Sequence, residues 1–135
     1  MAPKKRILCI EDEADMIDLT RLVLEREGYE VLGAVGGARG LEIIRQETPD
    51  LVLLDLMMPD VDGWEVYRQM KADKDLAQIP VIVVTARAQS IDKVLGLQVA
   101  KVDDYITKPF GPTELLDSIQ RIFPEDKSTE AAGQV

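Results

Sequence analysis

At 135 residues the chain fits one domain large enough to bury a real core, and its 46% apolar content excludes a wholly disordered polymer. Twenty-five acidic residues against 16 basic ones leave a net charge of −9. No basic run is long enough for a nucleic-acid arm, so direct DNA or RNA binding is disfavoured and the acidity reads first as solubility.

The predicted elements alternate strand and helix. Arg6 to Ile10 reads as the first strand. Cys9, the single cysteine, lies inside it, which excludes an internal disulfide and makes the thiol a small buried hydrophobe. The basic start Met1-Ala2-Pro3-Lys4-Lys5-Arg6 is followed by an apolar stretch too short for a signal peptide, and nothing reaches the length of a membrane span. The expected location is the cytoplasm. A helix from about Ala14 to Glu27 follows, with Met16, Ile17, Leu19, Leu22, Val23 and Leu24 as its expected buried face and Gly28 as its stop. Tyr29 to Val35 reads as a strand, Ala38 to Glu47 as a helix closed by Thr48-Pro49, and Leu51 to Asp55 as a strand. A helix from Trp64 to Ala72 precedes the strand Val81 to Thr85. Ser90 is a plausible N-cap for a helix towards Val99, and Tyr105 to Thr107 is the fifth strand. The last helix, Pro112 to Phe123, carries Leu115, Leu116, Ile119 and Ile122 on one face. Residues 1–123 make one domain, and 124–135 read as a flexible tail.

Five βα units predict an α/β fold with a parallel sheet covered by helices on both faces. In such sheets ligands gather beyond the C-terminal ends of the strands. Glu11 and Asp12 leave the first strand, Asp55 the third, Thr85 the fourth and Lys108 the fifth. Three acids placed together repel one another unless a cation joins them, and Mg²⁺, with Mn²⁺ as a substitute, suits oxygen ligands that also accept phosphate. Asp55 is then a candidate nucleophile for an aspartyl phosphate, with Lys108 and Thr85 as partners for its phosphoryl oxygens. Each residue alone has an ordinary explanation as a turn, strand end or solvated loop; their common placement at strand exits is the signal. Gly33, Gly36, Gly37 and Gly40 lack the spacing of a dinucleotide fingerprint. There is no histidine and no Walker-type loop, so a phosphoryl donor must be another molecule.

The stretches Ile7-Leu8-Cys9-Ile10-Glu11-Asp12-Glu13, Leu53-Leu54-Asp55-Leu56-Met57-Met58-Pro59 with Asp62-Gly63, Val83-Val84-Thr85-Ala86, and Asp103-Asp104-Tyr105-Ile106-Thr107-Lys108-Pro109-Phe110 resemble the receiver domain of bacterial two-component response regulators. The resemblance covers about residue 5 to 123. It implies a doubly wound, flavodoxin-like three-layer (βα)5 sandwich with sheet order 2-1-3-4-5. It implies Asp55 as phosphoacceptor, with Glu11, Asp12, Asp55 and the Met57 carbonyl holding Mg²⁺. Thr85, Ala86 and Lys108 would bind the phosphoryl group, Thr85 and Tyr105 would form the switch, and Lys108-Pro109 would be a cis peptide aiming the lysine inward. Met57 and Arg87 occupy positions that influence phosphoryl lifetime; for Arg87, reaching the site and simple solvation stand equal. Two features depart from the pattern. The stretch Gly96 to Val102 is one residue longer than the family's usual length and lacks the common glycine before Asp103-Asp104, and Glu11 replaces the commoner aspartate.

The resemblance further implies a sensor histidine kinase or histidine phosphotransfer protein as donor, an effector protein of unknown identity, and phosphorylation-dependent homodimerisation in which Asp103, Asp104, Asp117 and Arg121 could form salt bridges. Such a domain is a phosphoacceptor that assists its own phosphorylation and dephosphorylation rather than an enzyme. A stand-alone, chemotaxis-regulator-like receiver is expected. The alternatives are a receiver excised from a larger regulator or hybrid kinase and, more weakly, a haloacid-dehalogenase-like phosphatase, which would need a second acid where Met57 stands. A flavodoxin-like electron carrier would need a hydroxyl-rich loop where the chain has Glu11-Asp12-Glu13.

Overall fold

The structure, a computed structural model, describes residues 4–86 and 102–124. Along the chain it contains β1 (Arg6–Glu11), α1 (Ala14–Glu25), β2 (Glu30–Val35), α2 (Gly37–Glu47), β3 (Leu51–Asp55), α3 (Gly63–Ala72), β4 (Val81–Ala86), β5 (Asp104–Lys108) and α4 (Pro112–Ile122). The helix expected between Ser90 and Val99, Arg87, the long stretch from Gly96 and the tail after Pro124 lie outside the described residues.

The strands form one parallel sheet in the order β2-β1-β3-β4-β5. β3 is central, and all five of its residues are buried, which is why it reads as an unbroken apolar run ending in one acid. Alternation along the strands divides the core in two. Leu8, Ile10, Val52, Leu54 and Val83 face α2 and α3, where Ile44, Val66 and Met70 meet them. Ile7, Leu53, Ile82, Val84 and Ile106 join Leu24 of α1 with Leu115 and Ile119 of α4 in the second cluster. Burying each such side chain contributes roughly 1.5–3 kcal/mol before the entropy of ordering is counted.

One expected face is corrected. In α1, Ile17, Thr20 and Leu24 point inward, whereas Leu19 and Leu22 are 52% and 55% exposed. At 100° per residue the six apolar positions span more arc than one packed face, so the stripe through Ile17, Thr20 and Leu24 wins and takes a threonine with it. The expected inward face of α4 holds at Leu115 and Ile119, with Leu116 and Ile122 packed at its margin.

Candidate phosphoacceptor site

Parallel pairing in register brings the strand exits together. β1 ends at Glu11 and β3 at Asp55, and both residues are almost wholly buried, at 4% and 3% exposure. Asp12, one residue further, is exposed. One carboxylate oxygen from each of Glu11, Asp12 and Asp55 lies within 4.8 Å of the others. Three oxygen donors at that spacing, one of them open to solvent, match a hard divalent cation that keeps part of its water shell.

Lys108 closes the site from the end of β5. Its Nζ donates to Glu11 Oε1 at 2.9 Å, to Glu11 Oε2 at 3.0 Å and to Asp55 Oδ2 at 3.3 Å. The other oxygen of Asp55, Oδ1, accepts the Met57 N–H at 2.9 Å. Both oxygens of the acid are thus engaged, and its plane is set by two contacts. The Lys108–Pro109 peptide is cis, as the resemblance implies.

Burial raises the Glu11 carboxyl to about 7; the Lys108 hydrogen bond opposes this, and the charge of Asp55 adds to it. Burial lowers the Lys108 ammonium, but its hydrogen bond to Glu11 and the charges of Asp55 and Glu11 outweigh that, so its net shift is upward. The Cys9 thiol in the middle of β1 is pushed up to about 12, chiefly by burial, and is inert packing as expected.

Thr85 is fully buried in β4, one residue beyond Val84, which pairs with Asp55. Ala86 ends β4 and pairs with Lys108 on β5. All the expected site residues therefore stand at one edge of the sheet except Tyr105, which lies earlier on β5, paired with Val83 and 41% exposed. Tyr105 shares a shallow groove of about 330 Å³ with Asp104, Thr107, Glu114, Asp117 and Arg121. Within the chain, Asp104 Oδ2 accepts from Ser118 Oγ at 2.6 Å and from Arg121 at 2.8 Å. Asp103 accepts the Val81 N–H at 2.8 Å and fastens the start of β4. Two of the acids expected in dimer salt bridges thus have partners inside the chain.

The short connection from β3 to α3 is packed tightly. A side chain at Gly63 would place its Cβ 2.5 Å from the Asp55 carbonyl oxygen, so the start of α3 approaches the acid as only glycine allows. Asp62 caps α3 by accepting the Trp64 N–H at 2.8 Å. Sequence reasoning assigned no role to Asp60, whose carboxylate reaches back to the first turn of α2. A contact spanning 23 residues leaves no local signature.

The model of the response regulator receiver domain family matches residues 7–120. The chain belongs to this family. It is 38% identical to the alkaline phosphatase synthesis transcriptional regulatory protein PhoP of Bacillus subtilis over 97% of this chain and 57% of the relative. It is 41% identical to the DNA-binding dual master transcriptional regulator RpaA of Synechocystis, over 94% of this chain and 53% of that protein. The chain thus spans about half the length of these curated relatives. Among solved structures, it superimposes on a CheY-like receiver domain protein from Methanospirillum hungatei with a TM-score of 0.81 and 34% identity, covering 93% of this chain and 98% of that one. As a receiver it is a domain of phosphorelay signalling rather than a classical enzyme, and receivers of this family interact with histidine kinases and bind Mg²⁺ at an acidic pocket. Membership removes the phosphatase and flavodoxin alternatives. Among the described residues no helix is long and apolar enough to cross a membrane.

Proposed function

We propose that this receiver accepts a phosphoryl group on Asp55 from a phosphohistidine of a sensor kinase or phosphotransfer protein, or from a small acyl phosphate. The observation that carries this reading is the placement of Asp55: a buried acid at the exit of the central strand, between two further acids and a lysine. An Asp55 carboxylate oxygen forms the new bond to phosphorus while the donor's P–N or P–O bond breaks, and the donor leaves with that electron pair.

Glu11, Asp12, Asp55 and the Met57 carbonyl are the groups that would hold Mg²⁺, which when bound supplies positive charge to the phosphoryl oxygens. Lys108, whose ammonium already lies beside Asp55, would supply a second positive charge, Thr85 a hydroxyl donor and Ala86 a backbone N–H. By holding these groups ready the domain assists both the gain and the loss of its own phosphoryl group.

Phosphorylation is then a local charge event that biases a two-state element. Thr85 and Tyr105 lie on adjacent strands, two residues apart in register, since Thr85 pairs with Thr107. Movement of Thr85 toward the phosphoryl group makes room for Tyr105 to turn inward and remodels the groove beside Asp104 and Arg121. That face is the one offered to an effector protein or to a second copy. We take the chain as a receiver acting in the cytoplasm, on its own or as the input half of a longer regulator such as its curated relatives.

Reduction of the phosphorylated protein with borohydride, followed by peptide mapping, tests the acceptor. Homoserine at position 55 supports the assignment; homoserine at another acid, or none in protein shown to carry the phosphoryl group, refutes it.

A further inference from the structure

Helix α2 begins without a capping side chain of its own. Its N-cap is Gly36, at φ 94°, and the free N–H groups of its first turn need an acceptor from elsewhere. Asp60 supplies it from the β3–α3 connection: Oδ1 accepts from Gly37 N and Oδ2 from Ala38 N, each at 3.2 Å. Gly36 has to be small as well as left-handed, because a Cβ there would lie 2.8 Å from Asp60 Oδ2. The Gly36 N–H in turn donates to the carbonyl of Glu11 at 2.9 Å. Hydrogen bonds from the backbone N–H groups of Val61, Ala38 and Gly37 hold the Asp60 carboxyl below its ordinary range, so it is charged at neutral pH.

These contacts form a closed circuit around the site. Glu11 is tied to Gly36, the first turn of α2 is tied to Asp60, and Asp60 lies three residues beyond Met57. On its other side the connection is pinned by the Leu56 N–H to the Val84 carbonyl at 3.1 Å and by the Met57 N–H to Asp55 at 2.9 Å. Met57 therefore sits on a span held at both ends, and Asp60 is the far anchor.

We propose that Asp60 is a positioning residue for the phosphoacceptor site: by clamping residues 56–62 onto the start of α2, it sets the Met57 carbonyl and the Glu11 exit at the spacing a divalent cation needs. This rests on the reading of Glu11, Asp12, Asp55 and Met57 as the metal-holding groups. A helix cap alone would lose stability when removed and nothing else. A clamp loses metal affinity too.

Isothermal titration of the full chain with Mg²⁺ separates the two, using wild type, Asp60→Ala, Asp60→Asn and a remote cap variant, Glu114→Ala, whose side chain serves the start of α4. Asp60→Ala is expected to weaken Mg²⁺ binding about fivefold or more, with Asp60→Asn between it and wild type because the amide keeps one acceptor. Glu114→Ala is expected to lower the unfolding midpoint and leave Mg²⁺ binding unchanged. With acetyl phosphate, raising Mg²⁺ to saturation should restore the Asp60→Ala rate. An Asp60→Ala protein that is less stable yet binds Mg²⁺ within twofold of wild type overturns the clamp. If that variant does not fold, Asp60→Asn carries the test, and wild-type affinity together with a lowered midpoint in it overturns the clamp equally. Failure of wild type to bind Mg²⁺ at all overturns the metal site itself, and the clamp with it.

Discussion

Lys108 holds both oxygens of Glu11, at 2.9 and 3.0 Å, and stands farther from Asp55, at 3.3 Å. The ammonium at the exit of β5 thus bridges the exits of β1 and β3, and it is nearer the neighbouring acid than the proposed acceptor. Without a metal it is the charge that lets two buried carboxylates sit side by side.

Replacing Lys108 by methionine should therefore move two quantities in opposite directions. Mg²⁺ affinity should rise about three- to tenfold, because a competing cation leaves the carboxylates; that corresponds to ~1 kcal/mol. The rate of phosphoryl acceptance at saturating Mg²⁺ should fall about 10²-fold, the usual cost of losing a charge aimed at transferring oxygens. Titration calorimetry and acetyl phosphate kinetics read the two. A parallel fall in both would show that Lys108 merely holds the site together.

The proposed metal site sets proton against metal at Glu11. Its carboxyl is raised to about 7 and would have to be ionised to ligate, so Mg²⁺ binding there would release a proton below that pH. The apparent Kd should rise toward tenfold per unit as pH falls below about 7 and level off above it. Glu11→Gln should bind more weakly and lose most of that dependence. The stability linkage has the matching sign. A raised carboxyl favours the protonated form in the fold, so its contribution is present below the unfolded value of 4.5 and is lost as pH rises to about 7. Urea unfolding without metal, wild type against Glu11→Gln across that window, measures it.

Gly63→Ala should damage stability and acceptance together. The added Cβ would meet the Asp55 carbonyl oxygen at 2.5 Å and the Leu56 Cα at 2.6 Å, both backbone atoms that cannot swing aside. A loss of about 1–3 kcal/mol is expected from such overpacking, measured by denaturant unfolding, together with slower phosphorylation as Asp55 is displaced. An alanine variant with unchanged stability would mean that α3 shifts freely, and that its close approach does not fix the acid.

The strand exits were legible because β3 is buried on both faces: a short apolar run such as Leu51 to Leu54, set among alternating helical patterns, reads as a central strand, and an acid ending it stands out. The three acids, the hydroxyl and the lysine followed from that logic, and the order of the strands followed from the resemblance rather than from any pattern in the residues. Leu19 and Leu22 were misread because hydrophobicity alone does not choose among overlapping helical stripes; packing against Gly33 and the sheet favours the side bearing Ile17 and Thr20. Asp60 could not be read at all. Its partners are backbone N–H groups of a helix whose own cap is glycine, and neither end of that contact carries a side-chain signal. The hold of Lys108 on Glu11, 97 residues away, was likewise invisible: spacing brought the lysine to the right edge without saying which acid it would take.

The central claim is that Asp55 takes the phosphoryl group in a metal-dependent reaction. Intact-protein mass after incubation with acetyl phosphate, with and without Mg²⁺ and beside Asp55→Asn, tests it most directly. The account predicts a gain of one phosphoryl mass in wild type that is lost on chelation of the metal and absent in the variant. A folded wild-type protein that binds Mg²⁺ yet gains no mass, or an Asp55→Asn protein that gains it as readily, would contradict the account.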